Sequence, residues 1–219
     1  YPAITKNSGL GFNDGDRAIR SDFSRGGFNI SGAGVKVGVI SDSYNHQGGA
    51  AADVINGDLP GPGNLDGDTI PVQLLQEYPT SFGLLSDEGR AMLQIVHDIA
   101  PGAELAFYSG FLNAADFANG IIALKYAGSD VIVDDITYIT EPFFRDGIVA
   151  QAVNTVKAAD VTYFSAAGNY SDKSYQSMFN PVSAPAGIVG DAHNFGGGDI
   201  YQNISLEEGT YTIVLQWED

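Results

Sequence analysis

Asp42, Glu88, Asp135 and Asn169 each stand where an apolar run gives way to polar residues. Carboxylates at such places can take, share or return a proton, and an amide can donate a hydrogen bond to a developing negative oxygen. Two acids in contact share one proton, and this moves their pKa values apart. The three histidines are less suited to proton transfer. His97 follows Glu88 by nine residues, half a turn out of phase on an α-helix, so the two cannot share a face. His46 and His193 lie in glycine-rich surroundings, with His46 near enough to Asp42 to stay under consideration.

The elements that must position these groups follow from the pattern of apolar residues. Val35 to Ile40 is an apolar run too short for a helix and ends in Ser41-Asp42-Ser43, which predicts a buried strand with Asp42 at its carboxyl end. Val72 to Leu75 predicts a short second strand. Ser86-Asp87-Glu88 precedes Ala91, Met92, Ile95 and Val96 at helical spacing, so Ser86 is the expected N-cap, with two acids in the first turn. Ala103 to Tyr108 predicts a strand, 114–127 a helix, Asp130 to Val133 a strand bearing Asp134-Asp135, 146–159 a helix, and Val161 to Ser165 a strand leading to Asn169. This alternation means α/β architecture with a parallel sheet flanked by helices. Ligands of such sheets bind beyond the carboxyl ends of the strands. Asp134 and Asp135 face opposite sides, so only one can point at a site there.

The rhythm changes near residue 194. Gly196-Gly197-Gly198 interrupts the chain, and 201–206 and 210–217 alternate as in a hairpin around Glu207-Glu208-Gly209. Residues 1–193 are therefore expected as one domain and 194–219 as the beginning of a β-sandwich. Two strands alone are marginal, so more chain is expected to follow.

Composition removes several functions. The 219 residues carry 27 acidic and 10 basic side chains, a net charge of -17, which excludes nucleic acid and an anionic membrane surface as partners. With 44% hydrophobic and only 17% charged residues the chain is no acidic disordered tail. The absence of cysteine excludes thiol catalysis and a disulfide framework. Asp58, Asp66 and Asp68, with Asn64, make an oxygen-rich loop that could hold structural calcium, although the EF-hand pattern is lacking and a solvated loop accounts for it as well.

Four stretches in order, VKVGVISDS, EGRAMLQIVHDIAPGAEL, GSDVIVDDI and VTYFSAAGN, resemble the subtilisin-like serine peptidases, the subtilases, over about residues 34–170. The resemblance implies that Asp42 is the catalytic aspartate, that Asp135 flanks the specificity pocket and that Asn169 serves the oxyanion hole. The catalytic histidine is replaced by Glu88 followed by Gly89, which is similar to the sedolisins. Sedolisins place a partner aspartate four residues further on, where this chain has Met92, and have aspartate where it has Asn169. The likeness is therefore to a sedolisin-like branch with Asp42, Glu88 and Asn169.

The family's nucleophile sits in a Gly-Thr-Ser motif that opens a late helix, and none occurs between Asn169 and Asp219. The resemblance thus implies a serine endopeptidase of polypeptides whose serine lies beyond this sequence, with Glu88 as general base and Asp42 or Asp135 raising its pKa. This chain alone is expected to be inactive, with the C-terminal remainder of the same protein as a partner. The alternative is a non-catalytic structural or binding protein on the same scaffold. Low lysine and high acid content suit an extracellular or cell-surface location. Without the motif order, Glu88 reads as a surface acid complementing a helix dipole, Asp42 as a turn former and Asn169 as a left-handed turn residue.

Overall fold

The computed structural model describes residues 14–170 and 173–218. The described residues fall into two compact units, 14–168 with 216–218, and 169–170 with 173–215.

The first unit is built on five parallel strands: β1 (Lys36–Ser41), β2 (Gln73–Gln76), β3 (Glu104–Ser109), β4 (Val131–Asp134) and β5 (Thr162–Ser165), in the order β2-β3-β1-β4-β5. Among the described residues the helices are α1 (Asp14–Ile19), α2 (Ser21–Phe28), α3 (Ala50–Asn56), α4 (Glu88–Ile99), α5 (Ala114–Tyr126) and α6 (Ile148–Lys157), with a 3-10 turn at Thr80–Phe82. The expected α/β architecture with a helix-flanked parallel sheet is the one observed.

Strand parity sorts the core into two layers. Ile40, Ala106, Tyr108 and Ile132 pack with Phe117, Ile121 and Leu124 of α5 and with Ala152 and Val156 of α6. Their neighbours on the strands, Val39, Leu105 and Phe107, pack on the opposite face with Leu93 of α4 and Leu59. Full burial of each of the Val, Leu, Ile and Phe side chains among them is worth about 1.5–3 kcal/mol. Both faces are covered, so the strands read as near-continuous apolar runs. Because β1 lies between β3 and β4, the direction of strand addition reverses beside it, which opens a crevice at its carboxyl end.

The short helices α1 and α2 were not foreseen from the polar, glycine-rich N-terminal stretch. Polar contacts hold them. Arg25 pairs with the buried Asp16 at 2.6 Å and donates to the Ile99 carbonyl at 2.7 Å, which ties α2 to the end of α4. Arg25 holds the Asp16 carboxyl below its usual range, against the opposing effect of burial.

The second unit has one antiparallel pair, β6 (Pro181–Ser183) with β7 (Asp191–His193). The hairpin expected over 201–217 is not formed, and residues 201–218 contain no strand. Its would-be inner residues Leu206, Ile213 and Leu215 are exposed. Alternation specifies a strand only where a face is buried, and none covers this one. The division between units also falls at Gly168, earlier than the change of pattern near 194.

Candidate active site

Asp42 is the first residue beyond β1 and is almost wholly buried. One carboxylate oxygen accepts from the backbone N–H groups of Ser43 and Gly89, the latter at 3.3 Å. The other accepts from the Ser86 N–H at 2.8 Å and the Ser86 hydroxyl at 2.6 Å. Burial pushes this carboxyl up, but the four donors outweigh it and hold the pKa below the usual carboxylate range. Asp42 is therefore a fixed anion that closes the N-terminus of α4 from outside the helix.

That arrangement replaces the expected Ser86 cap. The N-cap is Asp87, in a left-handed conformation (φ 61°), and its side chain makes no capping bond. Its carboxylate accepts from the Ser43 hydroxyl at 2.8 Å and from the N–H groups of His46 and Gln47 at 2.6 and 2.9 Å, and pairs with Arg90. These contacts hold a backbone geometry that costs a non-glycine residue of the order of 1–3 kcal/mol. They also knit the 43–47 loop to the start of α4.

Gly89 allows α4 to come this close. A Cβ there would lie 2.3 Å from the Phe107 ring and 2.8 Å from the Ser43 carbonyl. Glu88, the first helical residue, is left exposed.

Asp134 and Asp135 separate as parity requires. Asp134, 3% exposed, lies on the α5/α6 side and accepts from the Ser165 hydroxyl at 3.1 Å and the Ile136 N–H at 3.2 Å. Burial raises its pKa. Asp135 lies on the α4 side, accepts a hydrogen bond from the Ser41 hydroxyl at 3.1 Å and is partly buried. Desolvation pushes its pKa to about 6, with the Glu88 charge adding to the rise and the Ser41 bond opposing it. The crevice beside β1 thus holds a fixed anion, Asp42, and Asp135, whose pKa is raised by burial and further by the Glu88 charge.

Asn169 opens the second unit and is exposed, immediately after Gly168 in a positive-φ conformation (79°). His46 is spent on structure: its Nδ1 accepts from the Leu85 N–H and its Nε2 lies 2.5 Å from the Tyr78 carbonyl, which requires the Nε2–H tautomer. His97 is 1% exposed, away from Glu88 as its phase requires, and neither ring nitrogen has a hydrogen-bond partner.

Asp58, Asp66 and Asp68 surround a loop that Asn64 organises, donating to the Leu59 carbonyl and accepting from the Asp66 and Asp68 N–H groups. Among the described residues no three histidine, aspartate or glutamate side chains are gathered as a metal cluster. Glu77 was missed from the sequence: it accepts from the N–H groups of Tyr44, Asn45 and Tyr78 and shapes the loop after Asp42. No residue pattern around it signals this role.

No family model matches the chain, and no curated protein sequence does. Among solved structures it is similar to "PatG macrocyclase in complex with peptide", at 13% identity and a TM-score of 0.46, over 76% of this chain and 60% of that one. It is also similar to MycP1 with the N-terminal propeptide removed, at 16% identity and a TM-score of 0.39, over 76% of this chain and 51% of that one. The chain spans less than two thirds of the length of either. The likeness is one of fold.

Proposed function

We propose that the chain carries the acid–base part of a serine peptidase of the subtilase type, with a nucleophilic serine from outside these 219 residues. The observation that supports this reading is Asp135 at the carboxyl edge of the central strands, its pKa raised to about 6 by burial first and by the Glu88 charge second. A serine hydroxyl is a poor nucleophile without an adjacent base. Glu88 would accept the hydroxyl proton as the serine oxygen bonds to the substrate carbonyl carbon, and would return it to the leaving amine. Water would then release the acyl group by the same steps in reverse.

Asp135 would hold a proton at mildly acid pH, its pKa raised by burial and further by the Glu88 charge. Asp42 would fix the start of the helix that carries Glu88. Asn169 would donate its amide N–H to the oxyanion, a contribution of ~3–4 kcal/mol to the barrier. The substrate on this reading is a polypeptide, the pH optimum is shifted to acid relative to a histidine enzyme, and the location is extracellular or at the cell surface.

A second reading is a non-catalytic binding or structural protein. The complete engagement of Asp42 in closing α4 supports it, since that role needs no chemistry. Labelling full-length protein with a serine-directed phosphonate separates the two. Labelling that Glu88→Gln abolishes establishes the peptidase. Its absence from correctly folded full-length protein leaves the scaffold reading.

A further inference from the structure

The chain leaves the first unit after Gly168 and re-enters it at Gln216. There the half-buried Gln216 side chain meets the segment that leads from Asp135 to α6. Its Oε1 accepts from the Phe143 N–H at 2.9 Å, and its Nε2 donates to the carbonyls of Ile139 at 3.1 Å and Glu141 at 2.9 Å. Both N–H groups of the amide and its oxygen are thereby engaged, all with peptide groups. One side chain supplies to this segment the partners that a neighbouring strand would supply.

Residues 135–147 contain no helix or strand, so individual bonds give the segment its shape. The Tyr138 hydroxyl donates to the Gly110 carbonyl at 2.5 Å. Gly110 follows β3 and Tyr138 follows β4, with β1 between them, so this bond spans the carboxyl end of β1, where the crevice lies. The Tyr138 carbonyl accepts the Glu141 N–H at 3.0 Å, and the two carbonyls that Gln216 holds, those of Ile139 and Glu141, belong to the same turn. The Glu141 carboxylate accepts from the Val149 N–H at 3.1 Å, which ties the turn to the start of α6.

We infer that Gln216 is a positioning residue of the candidate site: it fixes the 138–143 turn that borders the crevice, so the site takes part of its shape from chain that follows residues 169–215 in sequence. The bonds form a continuous path, from Gln216 to the Ile139 and Glu141 carbonyls, through the turn to Tyr138, and from Tyr138 to Gly110 across the end of β1. Asp135 stands where this segment begins, so loosening the turn admits water to its carboxyl group. Only an amide of this length fits: a glutamate sets a charge against two carbonyls and lacks both donors, and a methionine has the reach without the bonds. The inference deepens the peptidase reading and rests on it only for the chemistry of the crevice. The placing of the turn stands on the bonds of Gln216.

The test compares Gln216→Met and Gln216→Glu with the parent chain by amide hydrogen exchange and by carboxyl-carbon NMR of Asp135. In Gln216→Met the amides of 139–143 should exchange at least about ten times faster, with the thermal midpoint near that of the parent. The Asp135 midpoint should fall from about 6 towards the ordinary carboxylate range. Gln216→Glu should loosen the turn in the same way at pH 7. At about pH 4 the protonated acid regains a donor, and exchange, taken relative to the parent at the same pH, should return at least half-way to it. Unchanged exchange in Gln216→Met, faster exchange with the Asp135 midpoint unmoved, or a Gln216→Glu variant no nearer the parent at pH 4 than at pH 7 would overturn the inference. Phosphonate labelling of the full-length protein reports on the peptidase reading independently, so either can fail alone.

Discussion

The Ser41 hydroxyl donates to the Asp135 carboxylate at 3.1 Å, which joins the last residue of β1 to the residue just past β4. Adjacent parallel strands in register, Ile40 opposite Asp134, bring the two side chains to the same face. Desolvation, the Glu88 charge and this bond then act on one carboxyl group, the first two upward and the third downward.

These opposing effects give a titration experiment with definite signs. Carboxyl-carbon NMR should find Asp135 titrating near pH 6. Glu88→Gln removes a like charge and should lower that midpoint, leaving the part due to burial. Ser41→Ala removes a bond to the charged form and should raise it. If neither substitution moves the midpoint, neither the Glu88 charge nor the Ser41 bond acts on the Asp135 carboxyl. The same shift affects stability. With its folded pKa above the unfolded value of about 4, Asp135 binds more proton in the folded state, so its contribution falls as pH rises from about 4 to 6.

Asp42 has the opposite sign. Its folded pKa lies below the unfolded value, so its stabilisation is present above about pH 4 and is lost as pH falls through the folded pKa. Asp42→Asn presents an amide group to the donors of Ser86 and should cost about 2–3 kcal/mol at neutral pH. The measurement is urea unfolding at pH 7 and pH 3. The gap between parent and variant should narrow at the lower pH, and a gap that stays constant would show that the charge of Asp42 is not what closes α4.

How much of this was legible in the sequence depends on what encodes it. The strands β1 to β5 and the helices α4 to α6 are written in apolar periodicity, and the core forms largely from those same residues, so they were readable, whereas β6 and β7 carry no such pattern. The placing of Asp134 and Asp135 on opposite faces follows from strand parity alone. The cap of α4 was not readable, because Asp42 reaches it from 47 residues before Gly89 and no local pattern encodes a contact at that separation. Nor were α1 and α2, which rest on the Arg25–Asp16 pair and the Arg25 bond to Ile99 rather than on an apolar stripe. The alternation over 201–217 was readable but misleading, since nothing buries the face it implies.

Gly89 tests how tightly α4 must seat. In Gly89→Ala the new methyl group would meet the Phe107 ring and the Ser43 carbonyl, neither at the end of a flexible side chain. Overpacking of this kind costs about 1–3 kcal/mol. Because the helix start must move, the midpoint of Asp135 should fall towards the ordinary carboxylate range as Glu88 is displaced. Denaturant unfolding gives the first quantity and carboxyl NMR the second. A loss of stability with no change in Asp135 would separate seating of the helix from the Glu88–Asp135 coupling.

His97 is a buried base with two unpartnered ring nitrogens, and burial lowers its pKa although the Asp68, Asp66 and Asp58 charges oppose the shift. Its Nε2 lies 3.7 Å from Asp68 Oδ2, a pair that exists only when the ring is protonated. With the folded pKa below the unfolded value of 6.5, the unfolded chain binds more proton. Stability contributed by His97 is therefore present above pH 6.5 and is lost as pH falls towards the folded pKa. His97→Leu removes both the unsatisfied nitrogens and the titration. It should be neutral or stabilising at pH 7, by up to about 1–2 kcal/mol, because replacing an unpaired buried polar group removes its desolvation cost. The advantage of the variant should grow between pH 7 and pH 5 in thermal unfolding. An advantage that shrinks over that interval would mean that the Asp68 pair, and not burial, governs the imidazole.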